Sequence, residues 1–177
     1  MSTHSALLII DAQVGLLDGA HQSDRVVERI AGLARRARTA ETPIVYLQHD
    51  GDDDGSLAPG SPGWRIHPAL APQPEDAVLR KRASDSFFET PLAEVLRNSA
   101  IDRLIVTGMK TEMCVDTTSR QAVSRGYDVL LVSDAHTTTD SDVLSAEQII
   151  AHHNDTLDDF GTDDHVVTVA PAAEVTL

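Results

Sequence analysis

Six short apolar runs recur along the chain, at residues 6–10, 43–47, 77–79, 103–106, 128–132 and 165–169. Most are continuously apolar rather than alternating, the mark of strands covered on both faces. Between them the spacing becomes helical. Val26, Val27, Ile30, Leu33, Ala34 and Ala37 fall on one helical stripe. Thr90-Pro91 reads as an N-cap followed by proline at the first helical position, with Leu92, Val95 and Leu96 turned inward. Ser145 and Gln148 form a capping box, Leu144 sits where a staple to Ile149 would start, and that helix is expected to end near Gly161. Strand, helix and strand in repeated succession predict an α/β class: a three-layer α/β/α architecture around a six-stranded parallel sheet.

The chain has 177 residues, suiting one domain over 1–177. At that size roughly 8,400 Å² stays exposed after folding, about 30% of the unfolded surface, so a core forms without staples. One stretch breaks the pattern. Residues 50–73 are rich in Gly, Pro and Asp and carry the single tryptophan, Trp64. A segment of that length is either a solvated excursion or a functional lid. The formal charge of −14 argues against a nucleic-acid partner, which demands a basic face. No apolar run is long enough for a membrane span or reads as a secretory signal. The lone cysteine, Cys114, has no internal disulfide partner, which favours a reducing, cytoplasmic setting.

In parallel sheets, sites form where strands end and loops begin. Three reactive side chains fall there: Asp11 after the first run, Lys81 after the third, and Cys114 shortly after the fourth. Cys114 is open to two readings, inert packing or nucleophile. With Thr111 as N-cap it would occupy a first helical turn, where positive partial charge favours a thiolate and leaves N–H groups free. Gly126 would end that helix. The chain keeps only two lysines, Lys81 and Lys110, among fourteen basic residues. Lys81 stands between two arginines, so its lysine reads either as chance placement or as a need for a compact ammonium rather than charge alone. No phosphate-binding glycine loop or serine elbow is present. The eight histidines form no ligand set, and His49-Asp50 reads as substrate-side or structural rather than metal-binding. Residues 52–54, all aspartate, read as a solvated acidic run.

Together these segments resemble the isochorismatase-like cysteine hydrolases, which include nicotinamidases, carbamoylsarcosine-type amidases and streptothricin hydrolase. Leu8-Ile-Ile-Asp11-Ala-Gln13 resembles the opening strand with its aspartate and glutamine. Leu79-Arg-Lys81-Arg-Ala-Ser84, continuing through Phe87 to Thr90-Pro-Leu92, resembles the lysine segment. Val106-Thr-Gly108-Met-Lys-Thr111-Glu-Met-Cys114-Val115-Asp-Thr-Thr118 resembles the nucleophile segment. The resemblance covers roughly residues 6–170 and implies a Rossmann-like, isochorismatase-type fold. It implies Cys114 as nucleophile, Asp11 as general base and Lys81 as electrostatic partner. It also implies a cis peptide between Met109 and Lys110, with the Lys110 and Cys114 N–H groups as oxyanion hole. Gln13, Trp64, Phe87 and Met109 are the substrate-binding candidates. The Asp-x-His and further His of metal-dependent nicotinamidases have no counterpart around His49, so no metal or other cofactor is expected. Retention of Cys114 favours a small-molecule amide substrate. Vinyl ether hydrolysis of the isochorismatase type, or a catalytically idle binding module, are the alternatives. The family also implies a homo-oligomer, dimer or tetramer.

Overall fold

Each of the six apolar runs becomes a strand in the computed structural model, which describes residues 4–177. The strands are β1 (Ser5–Ile10), β2 (Ile44–His49), β3 (Ala77–Lys81), β4 (Arg103–Met109), β5 (Asp128–Thr137) and β6 (Val167–Ala170). The helices are α1 (Val14–Leu17), α2 (Ser23–Thr39), α3 (Leu92–Asn98), α4 (Asp116–Ser124) and α5 (Ala146–Leu157). Every neighbouring pair is parallel, in the order β3-β2-β1-β4-β5-β6. The chain winds outward from β1 to β3, then returns beside β1 and winds the other way. That reversal opens a crevice at the carboxyl ends of β1 and β4.

Alternate strand residues feed two cores. Leu7, Ile9, Tyr46 and Ile105 pack with the predicted stripe of α2, all six of whose members are buried. Ala6, Leu8, Ile10 and Val106 pack on the opposite side with Leu92 and Leu96 of α3 and Ala122 and Val123 of α4. The sheet is thus a middle layer between helices, and the exposed surface, 8790 Å², lies near the size-scaling value.

Three expectations are corrected. β4 and β5 run on to Met109 and Thr137, well past their apolar runs. Their continuations hold polar residues such as Thr107, His136 and Thr137 that are buried and hydrogen-bonded, so polarity hid them. The helix opened by the Ser145–Gln148 capping box stops at Leu157 instead of Gly161. There the chain docks on β6, with Asp159 N–H donating to Val167 O and Val169 N–H to Asp158 Oδ1. Residues 50–73 are no free excursion. His67, Val14 and Gly15 N–H groups bond Ala12, Arg65 and Gly63 carbonyls, strapping the segment along the exit of β1.

Candidate active site

Asp11 follows the last residue of β1 in a left-handed conformation, φ 49°, its N–H donating to Leu47 O. Aspartate tolerates that conformation better than most residues. The turn swings its carboxylate into the crevice, where it is sealed from solvent. Lys81 ends β3, two strands away, and is buried too. Its long stem crosses the end of β2 and brings Nζ 2.7 Å from Asp11 Oδ2. The same Nζ donates to Ala83 O at 2.9 Å and stands 3.3 Å from Cys114 Sγ. The ammonium thus makes two hydrogen bonds and one ion pair at a single point. A planar guanidinium would not fit three partners so disposed.

Cys114 arrives from the far side of the crevice. Gly108, at φ 117°, lets β4 lie so close to β1 that a Cβ there would stand 1.9 Å from Ile10 O. The peptide bond between Met109 and Lys110 is cis. One π-helical turn, Thr111–Val115, follows and runs into α4. Thr111 is therefore no N-cap. Its hydroxyl bonds His136 instead, and Lys110 O accepts from the N–H groups of Met113 and Val115. Gly126, with positive φ, lies just beyond the end of α4 as expected. The lysine segment is tied to this helix by Ser86, whose N–H and hydroxyl both bond Thr118 Oγ1.

The electrostatics work against the thiolate that a first helical turn would favour, and fit a thiol that needs a base. Burial, reinforced by the charge of Asp11, pushes the Cys114 thiol up to about 11 despite Lys81. Burial also raises the Asp11 carboxyl above its ordinary range, against the pull of Lys81. The resting site thus holds a thiol beside a carboxyl group of enhanced basicity. His49 is driven down by burial and faces the charges of Asp11, Lys81, Asp50 and Arg82.

The substrate-binding candidates fare differently. Gln13 is fully buried and saturated: its amide donates to His49 O and Trp64 O and accepts from His49 N–H. It is a brace between the strand ends and the 50–73 segment. Met109 is also buried, its side chain in the core on the α2 side. Phe87 is stacked on Tyr127 in the other core, so it is no pocket wall. The aromatic ring left exposed is its neighbour Phe88, which lines a cleft with Lys81, Arg82 and Ala83. Trp64 is half-buried, donates from Nε1 to Asp50 Oδ1 and lies beneath the Arg80 guanidinium, itself paired with Asp50. The Lys110 side chain points away to Thr139 Oγ1. Among the described residues, no three His, Cys, Asp or Glu side chains converge as metal ligands would, and no helix is long and apolar enough to cross a membrane. Unanticipated is a polar chain behind the Cys114 turn, made of Thr111, His136 and Asn154. Its members are 18 to 43 positions apart in sequence, and nothing in one dimension links them.

Comparison with known proteins places this chain among relatives. The isochorismatase domain profile matches residues 5–152. Streptothricin hydrolase of Streptomyces noursei is 40% identical over 138 residues, covering 76% of this chain and 55% of that protein. Ureidoacrylate amidohydrolase of Methylorubrum extorquens is 34% identical, covering 62% of this chain and 56% of that protein. The chain thus spans about half the length of these curated relatives. A crystal structure of an isochorismatase from Pseudomonas putida superposes with a TM-score of 0.88 at 32% identity, covering 98% of this chain and 90% of that one. A cysteine hydrolase from Pseudomonas syringae gives 0.85 at 28% identity, covering 97% and 90%. With a profile match over most of its length and a shared fold from end to end, the chain belongs to the isochorismatase family.

Proposed function

We propose that this protein is a metal-independent cysteine hydrolase that cleaves a C–N bond, amide or lactam, of a small molecule through a thioester on Cys114. One observation carries the reading: a single ammonium, Lys81 Nζ, touches both a buried carboxylate and the only thiol of the chain. The names of two relatives, a streptothricin hydrolase and a ureidoacrylate amidohydrolase, favour C–N bonds.

The chemistry follows from the electrostatics. A thiol pushed up to about 11 is protonated at neutral pH and attacks only as its proton leaves. Asp11, made more basic by burial, accepts that proton while Sγ bonds the carbonyl carbon. Lys81 holds the carboxylate in place and balances charge developing on sulfur. The carbonyl oxygen becomes an oxyanion, for which the N–H groups of Lys110 and Cys114 are the donors. As the C–N bond breaks, Asp11 returns the proton to the departing nitrogen, leaving a thioester. Water then gives a proton to Asp11 and its oxygen to the acyl carbon, and the proton returns to sulfur. The net change is amide plus water to acid plus amine. Of the substrate-side candidates, Trp64 stays in the proposal and Phe88 joins it. Gln13, Phe87 and Met109 act from behind the site, as a brace and as core packing. A cytoplasmic setting, where Cys114 stays a free thiol, and a homo-oligomeric state complete the reading.

The test is mass spectrometry of the intact protein quenched after mixing with a pool of small amides and lactams, before and after exhaustive chelation. An acyl adduct on Cys114, with amine released at equal rates with and without chelator, is the expected result. Turnover surviving in Cys114→Ala, or lost with chelator and restored by a divalent metal, would overturn it.

A further inference from the structure

Behind the nucleophile's turn, on the β5 side, a hydrogen-bonded chain runs through the protein with only one possible direction. It starts at an unambiguous acceptor, the backbone carbonyl of Ser133, which takes a hydrogen bond from Asn154 Nδ2 at 3.1 Å. That fixes the amide, so Asn154 Oδ1 faces His136 Nε2 at 2.9 Å as an acceptor. The imidazole therefore carries its proton on Nε2 and presents a bare Nδ1. Thr111 Oγ1, 2.9 Å from Nδ1, must then donate. His136 and Thr111 are both closed to solvent, and burial pulls the imidazole down to about 4, keeping it neutral through the working range. Thr111 is the first residue of the turn whose fourth residue is Cys114.

We propose that Asn154, His136 and Thr111 form a positioning relay that holds the nucleophile's turn in register, with its polarity set by Ser133 O. The proposal rests on reading Cys114 as the nucleophile. The turn needs such a hold, because Thr111 lacks the N-cap role that would tie it to α4 locally. A hydroxyl that donates to a neutral imidazole fixes one rotamer of Thr111. The imidazole is fixed in turn by an amide on α5. None of the three touches substrate in this scheme. They act through the placement of Sγ relative to Asp11 and the oxyanion donors, where a displacement of about 1 Å costs on the order of 100-fold.

The relay also defines a pH response that the wild type suppresses. The charged or titratable groups around His136 are His153 and Glu147 on α5, Asp134 on its own strand, and His21 and Arg29 across the cleft it shares with α2. Asn154 is partly exposed in that cleft. Asn154→Asp keeps an acceptor for Nε2 but gives up the donor to Ser133 O and replaces an amide by a charge, which favours the imidazolium. A protonated His136 presents an N–H at Nδ1, and the Thr111 hydroxyl must reverse from donor to acceptor.

The experiment uses the whole protein and needs no substrate, because iodoacetamide reports the reactivity of the single cysteine. In the wild type, ¹⁵N-edited NMR is expected to show His136 as the neutral Nε2–H tautomer at pH 7. Thr111→Val is expected to slow alkylation about tenfold, and Thr111→Ser to stay within about threefold of wild type. Asn154→Asp is expected to add an inflection between about pH 5 and 7.5, with the slow form on the acid side. An Nδ1–H tautomer in the wild type would overturn the proposal whatever the variants do. So would wild-type alkylation rates in Thr111→Val, or a pH profile unchanged in Asn154→Asp. If Thr111→Val does not fold, the tautomer and the Asn154→Asp profile still decide. A protein that alkylates as described yet forms no acyl adduct with any amide would sink the amidase reading and leave the relay standing.

Discussion

Lys81 Nζ stands 2.7 Å from Asp11 Oδ2, an ion pair closed to solvent in which neither carboxylate oxygen has a hydrogen bond of good geometry. The pair is thus a mutual dependence. Removing one member leaves a buried charge without compensation, which typically costs about 3–5 kcal/mol, whereas removing both is far milder. Lys81→Met is therefore expected to be strongly destabilised at pH 8 in urea titrations. With the ammonium gone, the Asp11 carboxyl rises further, so the penalty shrinks as pH falls and the carboxyl takes a proton. The double variant Asp11→Asn/Lys81→Met is expected to recover most of the loss while staying inactive. Additive losses in the double variant would show that the two side chains do not act as a unit.

The raised thiol has its own signature. The free group titrates near 9 and the folded one near 11, so the unfolded chain loses its proton first as pH rises. Stability from this group is present below about pH 9 and drains away between 9 and 11. Melting temperatures of wild type and Cys114→Ala, compared from pH 7 to 11, are expected to diverge only above 9, with the wild type falling faster. Parallel curves would mean that the folded thiol titrates like a free one.

The acid side is expected to report His136 in the same way, with opposite sign. Its folded value, about 4, lies below the ordinary 6.5, so its contribution is present above 6.5 and is lost as pH falls toward 4. Wild type is expected to lose stability over that window more steeply than His136→Gln. Equal slopes would indicate that the imidazole is not the group being protonated.

What the sequence made legible, and what it hid, follows from physical range. The six strands and the α2 stripe were readable because burial on a regular element imposes a local period. Asp11, Lys81 and Cys114 stand out because each follows an apolar run, and the structure brings the first and last within reach of the Lys81 ammonium. Phe87 and Phe88 show the limit. Both sit in one loop, and only packing against Tyr127 decides that the first is core and the second faces the cleft. Gln13 read as a substrate contact because it neighbours Asp11, but its amide is consumed by His49 and Trp64, 36 and 51 positions away. The balance of fields on the thiol is likewise beyond local reasoning. A helix-terminus argument counts local dipoles, whereas burial and the charge of Asp11, from a distant strand, dominate.

Gln13 is accordingly expected to matter for order rather than affinity. Gln13→Leu leaves the N–H and carbonyl of His49 and one bond to Trp64 O unmet inside the protein, at about 1–3 kcal/mol for each group left without a partner. Faster amide hydrogen exchange is expected at Arg65 to His67 and at His49, with the α3 and α4 amides unchanged. Exchange that rises uniformly over the chain would point to global destabilisation instead.

Gly108 and Gly126 both have positive φ, yet they are expected to respond very differently to alanine. At Gly126 the nearest atom to an added Cβ is a His165 side-chain nitrogen at 3.6 Å, so only the conformational preference is at stake, about 1–2 kcal/mol. At Gly108 the Cβ would stand 1.9 Å from Ile10 O and 2.7 Å from Ile10 N, both main-chain atoms of the central strand. No side chain can swing aside. β1 and β4 would have to separate where Ile10 pairs with Gly108, one residue from Asp11 and two before Lys110. Gly126→Ala should therefore be soluble, with a modestly lowered melting temperature and wild-type alkylation of Cys114. Gly108→Ala should accumulate as insoluble protein, and any soluble fraction should lose the selective reactivity of Cys114. A folded Gly108→Ala with wild-type reactivity would mean that β1 and β4 tolerate a wider approach, and that the crevice does not depend on this contact.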